Sequence, residues 1–91
     1  MGLNKKQTKT LNAIFDNPVR SDVAWLDIEK LFVALGAEIT EGRGSRVRVA
    51  LMDVKAVFHR SHPQKETDKG ALKSVRRFLI EAGVEPQEDE T

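Results

Sequence analysis

The chain has 91 residues, of which 40% are hydrophobic and 32% charged, with no cysteine and a formal net charge of +1. This suffices for one small core, is too apolar for a disordered chain, and excludes disulfides and thiolate metal sites. No apolar run reaches the ~20 residues of a bilayer span, the start carries no signal-peptide core, and Lys6 breaks the myristoylation pattern that Gly2 opens, so no membrane contact and a cytoplasmic location are expected.

Leu11, Ile14 and Phe15 share one face of a first helix spanning roughly residues 4–16, which ends at Asp16-Asn17-Pro18 because a residue before proline is pushed out of helical geometry. Ser21 or Asp22 then caps a second helix with the apolar stripe Trp25, Ile28, Leu31, Phe32 and Leu35, stopped by Gly36. From Ala37 the period changes to 2. Residues 37–40 read as a short strand, 41–44 (EGRG) as a turn, and 45–51 as a strand with Val47, Val49 and Leu51 on one face and Arg46, Arg48 and Ala50 on the other. In the next strand Val54, Ala56 and Phe58 alternate against Lys55, Val57 and His59. With Met52-Asp53 as the loop, 51 pairs with 54, 49 with 56 and 47 with 58, so every core-facing residue falls on one side. Met-Asp is not a favoured hairpin pair, and a four-residue loop keeps the same register.

After a polar connection, Thr67 or Asp68 caps a last helix whose stripe is Leu72, Val75, Phe78, Leu79 and Ala82, with Lys73, Arg76 and Arg77 outside and Gly83 as the stop. The expected fold is α+β in the order α-α-β-β-β-α, a three-stranded antiparallel sheet with helices on one face and the other face free. It occupies residues 1–86 as one domain with an additional N-terminal helix, followed by a frayed acidic tail over 87–91. The expected core is Trp25, Ile28, Leu31, Phe32, Leu35, Val47, Val49, Phe58, Leu72, Val75 and Leu79.

The small net charge hides an uneven distribution. Residues 1–40 hold five basic and five acidic groups, residues 41–80 hold ten against four, and residues 81–91 hold five acids and no base. The middle of the chain is therefore the candidate anion-binding part, with a phosphate polymer as its natural partner. The strand register sets Arg46 across from His59, Arg48 across from Val57, and Lys55 across from Ala50. Solvent-facing strand positions are commonly just polar. An imidazole flanked by arginines, however, is also what metal-free RNA cleavage needs: the imidazole moves a proton, and the guanidinium groups stabilise charge on the phosphate oxygens. His62, beside Pro63, reads first as a turn residue. His59 and His62 have only Glu66 and Asp68 to complete a metal set, so no metal or other cofactor is expected. Lys69 and Gly70 open the last helix with Lys73 one turn on, a second place where a phosphate can approach backbone N–H groups, although Gly70 can equally relieve packing against a strand.

Gly44-Ser45, the hairpin, the His-bearing strand end and "KGALKSVRRFLIEAGVEP" (69–86) together resemble the HicA toxins of bacterial toxin–antitoxin pairs, whose ending has the form Lys-Gly-Thr-Leu-x-x-Ile-Leu-x-x-Ala-Gly. The resemblance covers about residues 23–86, the first helix lying beyond it. It implies a fold similar to the double-stranded-RNA-binding domain, a ribonuclease that cuts mRNA, and a HicB-type antitoxin partner that blocks the active face. In the family the histidine usually follows Gly-Ser directly, where this chain has Arg46. On this reading His59, opposite Arg46, serves nearly the same point in space, with His62 as the other match to a family histidine before the final helix. The expected site is thus His59, Arg46 and His62 for catalysis, with Gly44, Ser45, Arg48, Lys55, Arg60, Lys69, Gly70 and Lys73 on RNA. The free chain is expected to be monomeric. A non-catalytic RNA-binding module of the same fold is the alternative, and a docking face for an acidic protein a third.

Overall fold

The computed structural model describes residues 3–60 and 65–86. It contains α1 (Lys5–Ile14), α2 (Trp25–Ala34), β1 (Glu38–Glu41), β2 (Arg46–Leu51), β3 (Val54–His59) and α3 (Lys69–Glu81), in the expected α-α-β-β-β-α order. The strands form one antiparallel sheet in the order β1-β2-β3. His62 and the acidic stretch 87–91 lie outside the described residues.

Local signals account for most of the element ends. Asn4 and Gln7 form a reciprocal capping box at the start of α1, Asn4 Oδ1 accepting from the Gln7 N–H at 2.7 Å and Gln7 Oε1 from the Asn4 N–H at 3.0 Å. Both α2 and α3 end in the same way. Gly36 (φ +93°) and Gly83 (φ +84°) take the left-handed conformation, while the Ala37 and Val84 N–H groups reach back to the Phe32 and Leu79 carbonyls at 2.9 Å. Asp68, one of the two expected caps, closes the start of α3 by accepting from the Ala71 N–H at 2.7 Å.

The start of α2 differs from expectation. Its N-cap is Ala24, without a side-chain cap, and neither Ser21 nor Asp22 takes that role. The segment before the helix is instead held by chain from the other end of the domain. Trp25 N–H donates to the Lys65 carbonyl at 3.1 Å, and Thr67 N–H to the Val23 carbonyl at 2.7 Å. Burial of Val23 and Trp25 fixes where the helix begins. Asp22 is left to Arg20, which donates to both its oxygens at 2.8 Å; that hydrogen bonding holds the Asp22 carboxyl below its ordinary range.

The β2–β3 register matches the expected one at every pair, closed by a two-residue turn in which Met52 (φ +51°) and Asp53 (φ +69°) both have positive φ. That is the backbone a type I′ hairpin requires, and here non-glycine residues adopt it. Burying Val47, Val49, Leu51 and Phe58 on one side outweighs the local cost, because a one-residue slip would turn all of them to water.

Helices α2 and α3 cover that side, and α1 packs across both of them. Four rings meet at the centre: Phe32 stacks on Phe58 at 5.8 Å, Phe78 meets both edge-on at 5.6 and 5.7 Å, and Trp25 tilts against Phe58 at 6.0 Å. Of the expected core only Leu35 is half-buried; the rest is buried. Arg76, expected to face outward, instead donates to the carbonyls of Ile14 at 2.9 Å and Asp16 at 2.6 Å, with its guanidinium 6.0 Å from the Phe15 ring centre. It satisfies acceptors that the end of α1 leaves open.

Candidate functional site

The face of the sheet away from the helices is organised in rows that cross the strands. The first row sets Arg46 opposite His59, the second runs Thr40–Arg48–Val57, and the third Glu38–Ala50–Lys55. All of these side chains except the half-buried Ala50 are exposed. The Arg60 N–H donates to the Ser45 carbonyl at 2.6 Å. That bond makes Ser45 and Arg60 a hydrogen-bonded pair, so Arg46 and His59, one step inward, are a non-hydrogen-bonded pair, the kind whose Cα atoms sit only ~4.5 Å apart. The same alternation makes Arg48–Val57 and Ala50–Lys55 close pairs. The imidazole and the guanidinium therefore start from adjacent backbone positions on one open surface.

The turn feeding Arg46 is tight. Gly44 has φ +63°, the Arg46 N–H donates to the Arg43 carbonyl at 3.2 Å, and the Gly42 N–H to the Arg46 carbonyl at 2.8 Å. A Cβ on Gly42 would stand 3.2 Å from the Arg46 oxygen and 3.4 Å from its Cβ, so the glycine leaves the Arg46 backbone undisturbed. Gly44 and Ser45 are exposed in this turn, at the same end of the sheet as the Arg46–His59 row.

Arg60 stands on the other side. Alternation that places His59 outward turns Arg60 toward the helices with Phe58. There its Nε and Nη2 donate to Glu29 at 2.7 and 3.1 Å, and its Nη1 to Glu41 at 2.8 and 2.9 Å. Trp25 Nε1 donates to the same Glu29 carboxylate. Hydrogen bonding to Glu29, then to Glu41, pushes the guanidinium still higher than its ordinary range, so it stays charged and occupied. Arg60, expected on RNA, is held in a clamp joining α2, β1 and the end of β3. The strand period carried one residue further puts Arg60 on the covered side, while its partners Glu29 and Glu41 are set only by the stacking of α2 on the sheet.

Lys69, Gly70 and Lys73 are exposed on α3, an element of the covered side, and do not join the rows. The Asp68 carboxylate already occupies the Ala71 N–H there. Gly70 has nothing to relieve, since a Cβ would meet only Asp68 Oδ1 at an ordinary 3.6 Å. Gly70→Ala is accordingly expected to stabilise the fold by up to about 1 kcal/mol, read as a higher urea midpoint. Loss of stability would mean that the glycine answers a packing need after all. Among the described residues no cluster of three His, Cys, Asp or Glu side chains is arranged for a metal ion, and no helix is long and apolar enough to cross a membrane.

The fold is thus a small α+β domain whose open sheet face carries Arg46, Arg48, Lys55 and His59. Compared with known protein families, residues 25–84 match the family described as the HicA toxin of bacterial toxin–antitoxin. The match runs from the first residue of α2 to the residue that closes the end of α3, well over half of the chain, and the chain belongs to the HicA toxin family. It is a toxin of a toxin–antitoxin pair, and the family implies an antitoxin partner. Comparisons with curated proteins and with solved structures returned no match.

Proposed function

We propose that this toxin is a metal-independent endoribonuclease that cuts mRNA in the cytoplasm and is held inactive by a HicB-type antitoxin seated over the open sheet face. The observation that carries the reading is the direct cross-strand pairing of His59 with Arg46 on that face. The imidazole takes the proton from a ribose 2′-hydroxyl, whose oxygen bonds to the adjacent phosphorus while the bond to the 5′-oxygen breaks. Arg46 and Arg48 stabilise charge on the non-bridging oxygens as it builds. The departing 5′-oxygen gains its proton from solvent or from His62, and the products are a 2′,3′-cyclic phosphate and a 5′-hydroxyl. The nucleophile belongs to the substrate, so no metal-bound water is needed. Exposed Lys55 adds phosphate attraction along the same face, while Lys69 and Lys73, exposed on α3, offer separate cationic contacts away from it.

One observation favours a second reading. Arg46 occupies the place where the resemblance puts a histidine, which suits a chain that grips RNA without cutting it. Incubating the purified toxin with end-labelled mRNA in EDTA separates the two. Fragments ending in cyclic phosphate are expected. Intact, protein-bound RNA whose retention falls steeply with salt would replace the nuclease by a binding module.

A further inference from the structure

The third row of the open face carries a carboxylate, Glu38, that the cleavage reading does not use. Glu38 on β1 and Lys55 on β3 flank Ala50 on β2, and a shallow depression there is lined by Glu38, Thr40, Arg48, Ala50, Lys55 and Val57. Alanine is the smallest side chain on the exposed side of β2, so the floor lies low between two charged walls. Two strand spacings of ~4.8 Å separate the walls by about 9.6 Å, room for one flat ring system. Val57, 59% exposed, offers an apolar contact at one side, and the Arg48 guanidinium a plane on which a base can stack. Among the described residues no ion pair engages Glu38, Arg48 or Lys55.

A carboxylate opposes phosphate binding on this face, and recognition of a base would give it a use that the charge of an edge strand alone does not. Carboxylates accept two parallel hydrogen bonds. Of the four RNA bases, only guanine presents two adjacent donors, N1–H and the N2 amino group, on its pairing edge. Cytosine and adenine each offer one amino donor beside a ring-nitrogen acceptor, and uracil one N–H between two carbonyls, so each sets a lone pair against the carboxylate. Lys55, on the opposite wall, can donate to the N7 and O6 acceptors of the guanine's other edge. We infer that the Glu38–Ala50–Lys55 depression is a guanine-binding subsite for single-stranded RNA, about 13 Å along β2 from the Arg46–His59 row at ~3.3 Å per residue. The inference rests on the ribonuclease reading for its RNA substrate, and adds a base preference at a fixed distance from the cleaved bond.

The test uses the full chain and short, fully 2′-O-methylated RNAs, which cannot be cleaved by attack of the 2′-oxygen, so binding is read independently of catalysis. Fluorescence anisotropy compares U-U-G-U-U with the same oligomer carrying inosine, which lacks the N2 amino group, or uridine at the centre. Guanosine is expected to bind about tenfold tighter than either, the scale of one good bidentate base contact. In Glu38→Gln that ratio collapses toward one, while the all-uridine oligomer binds slightly tighter because a negative charge has been removed. Equal binding of all three oligomers by the wild-type chain, or a guanosine preference that survives Glu38→Gln, overturns the subsite and leaves the nuclease reading standing. Absence of binding to any oligomer, together with intact mRNA in the cleavage assay, overturns both.

Discussion

Replacing His59 by alanine is expected, on the ribonuclease proposal, to lower the rate of RNA cleavage by about 10²- to 10⁴-fold, the range that a positioned general base contributes, and to abolish growth arrest when the toxin is induced without its antitoxin. The fold is expected to survive, because His59 is exposed at the end of β3 and substitutions at such positions change stability by only about 0.5 kcal/mol either way. Circular dichroism and the urea midpoint check that half of the statement. Undiminished cleavage in a folded His59→Ala protein would move the proton transfer elsewhere, with His62 next to be substituted. Binding of the uncleaved RNA should fall far less than the rate does, since Arg46, Arg48 and Lys55 remain in place to hold phosphates.

Phe32→Ala, by contrast, acts through the whole molecule. The ring is fully buried, stacked on Phe58 of the sheet and met edge-on by Phe78 of α3, so it joins both helices of the inner layer to the strands. Truncation of a buried phenylalanine costs about 3–5 kcal/mol, a large part of the 5–15 kcal/mol that a typical domain has. The expected reading is a Tm lower by at least about 12 °C at a size where each kcal/mol shifts it by ~4–8 °C. Toxicity is then expected to fall with the folded fraction, and excess RNA ligand should partly restore the transition. A drop of only a few degrees would show that neighbouring rings collapse into the space.

How far the sequence carried this picture depended on the range of the interactions involved. The hairpin was legible to the residue, since strict alternation over Val47, Val49 and Leu51 and over Val54, Ala56 and Phe58 admits one register, even though Met52-Asp53 gives no usual turn signal. Helix ends at Gly36 and Gly83 were equally local. Contacts between distant segments were not readable. The uncapped start of α2 follows from hydrogen bonds to residues near 65–67, the outward expectation for Arg76 yields to carbonyls sixty or more residues away, and Arg60 meets Glu29 and Glu41 only once the sheet and α2 are stacked. Among the residues proposed for catalysis, the Arg46–His59 pairing followed from register alone.

The family match begins at residue 25, yet Leu11 and Ile14 of α1 are fully buried against α2 and α3, and Arg76 ties the end of α1 to α3. The stretch by which kinship is recognised is thus shorter than the stretch that excludes water from the interior. A fragment trimmed to residues 25–84 would keep every candidate RNA contact and lose the roof over its inner helices, so its failure would report on a missing wall of the building and not on the chemistry at the door.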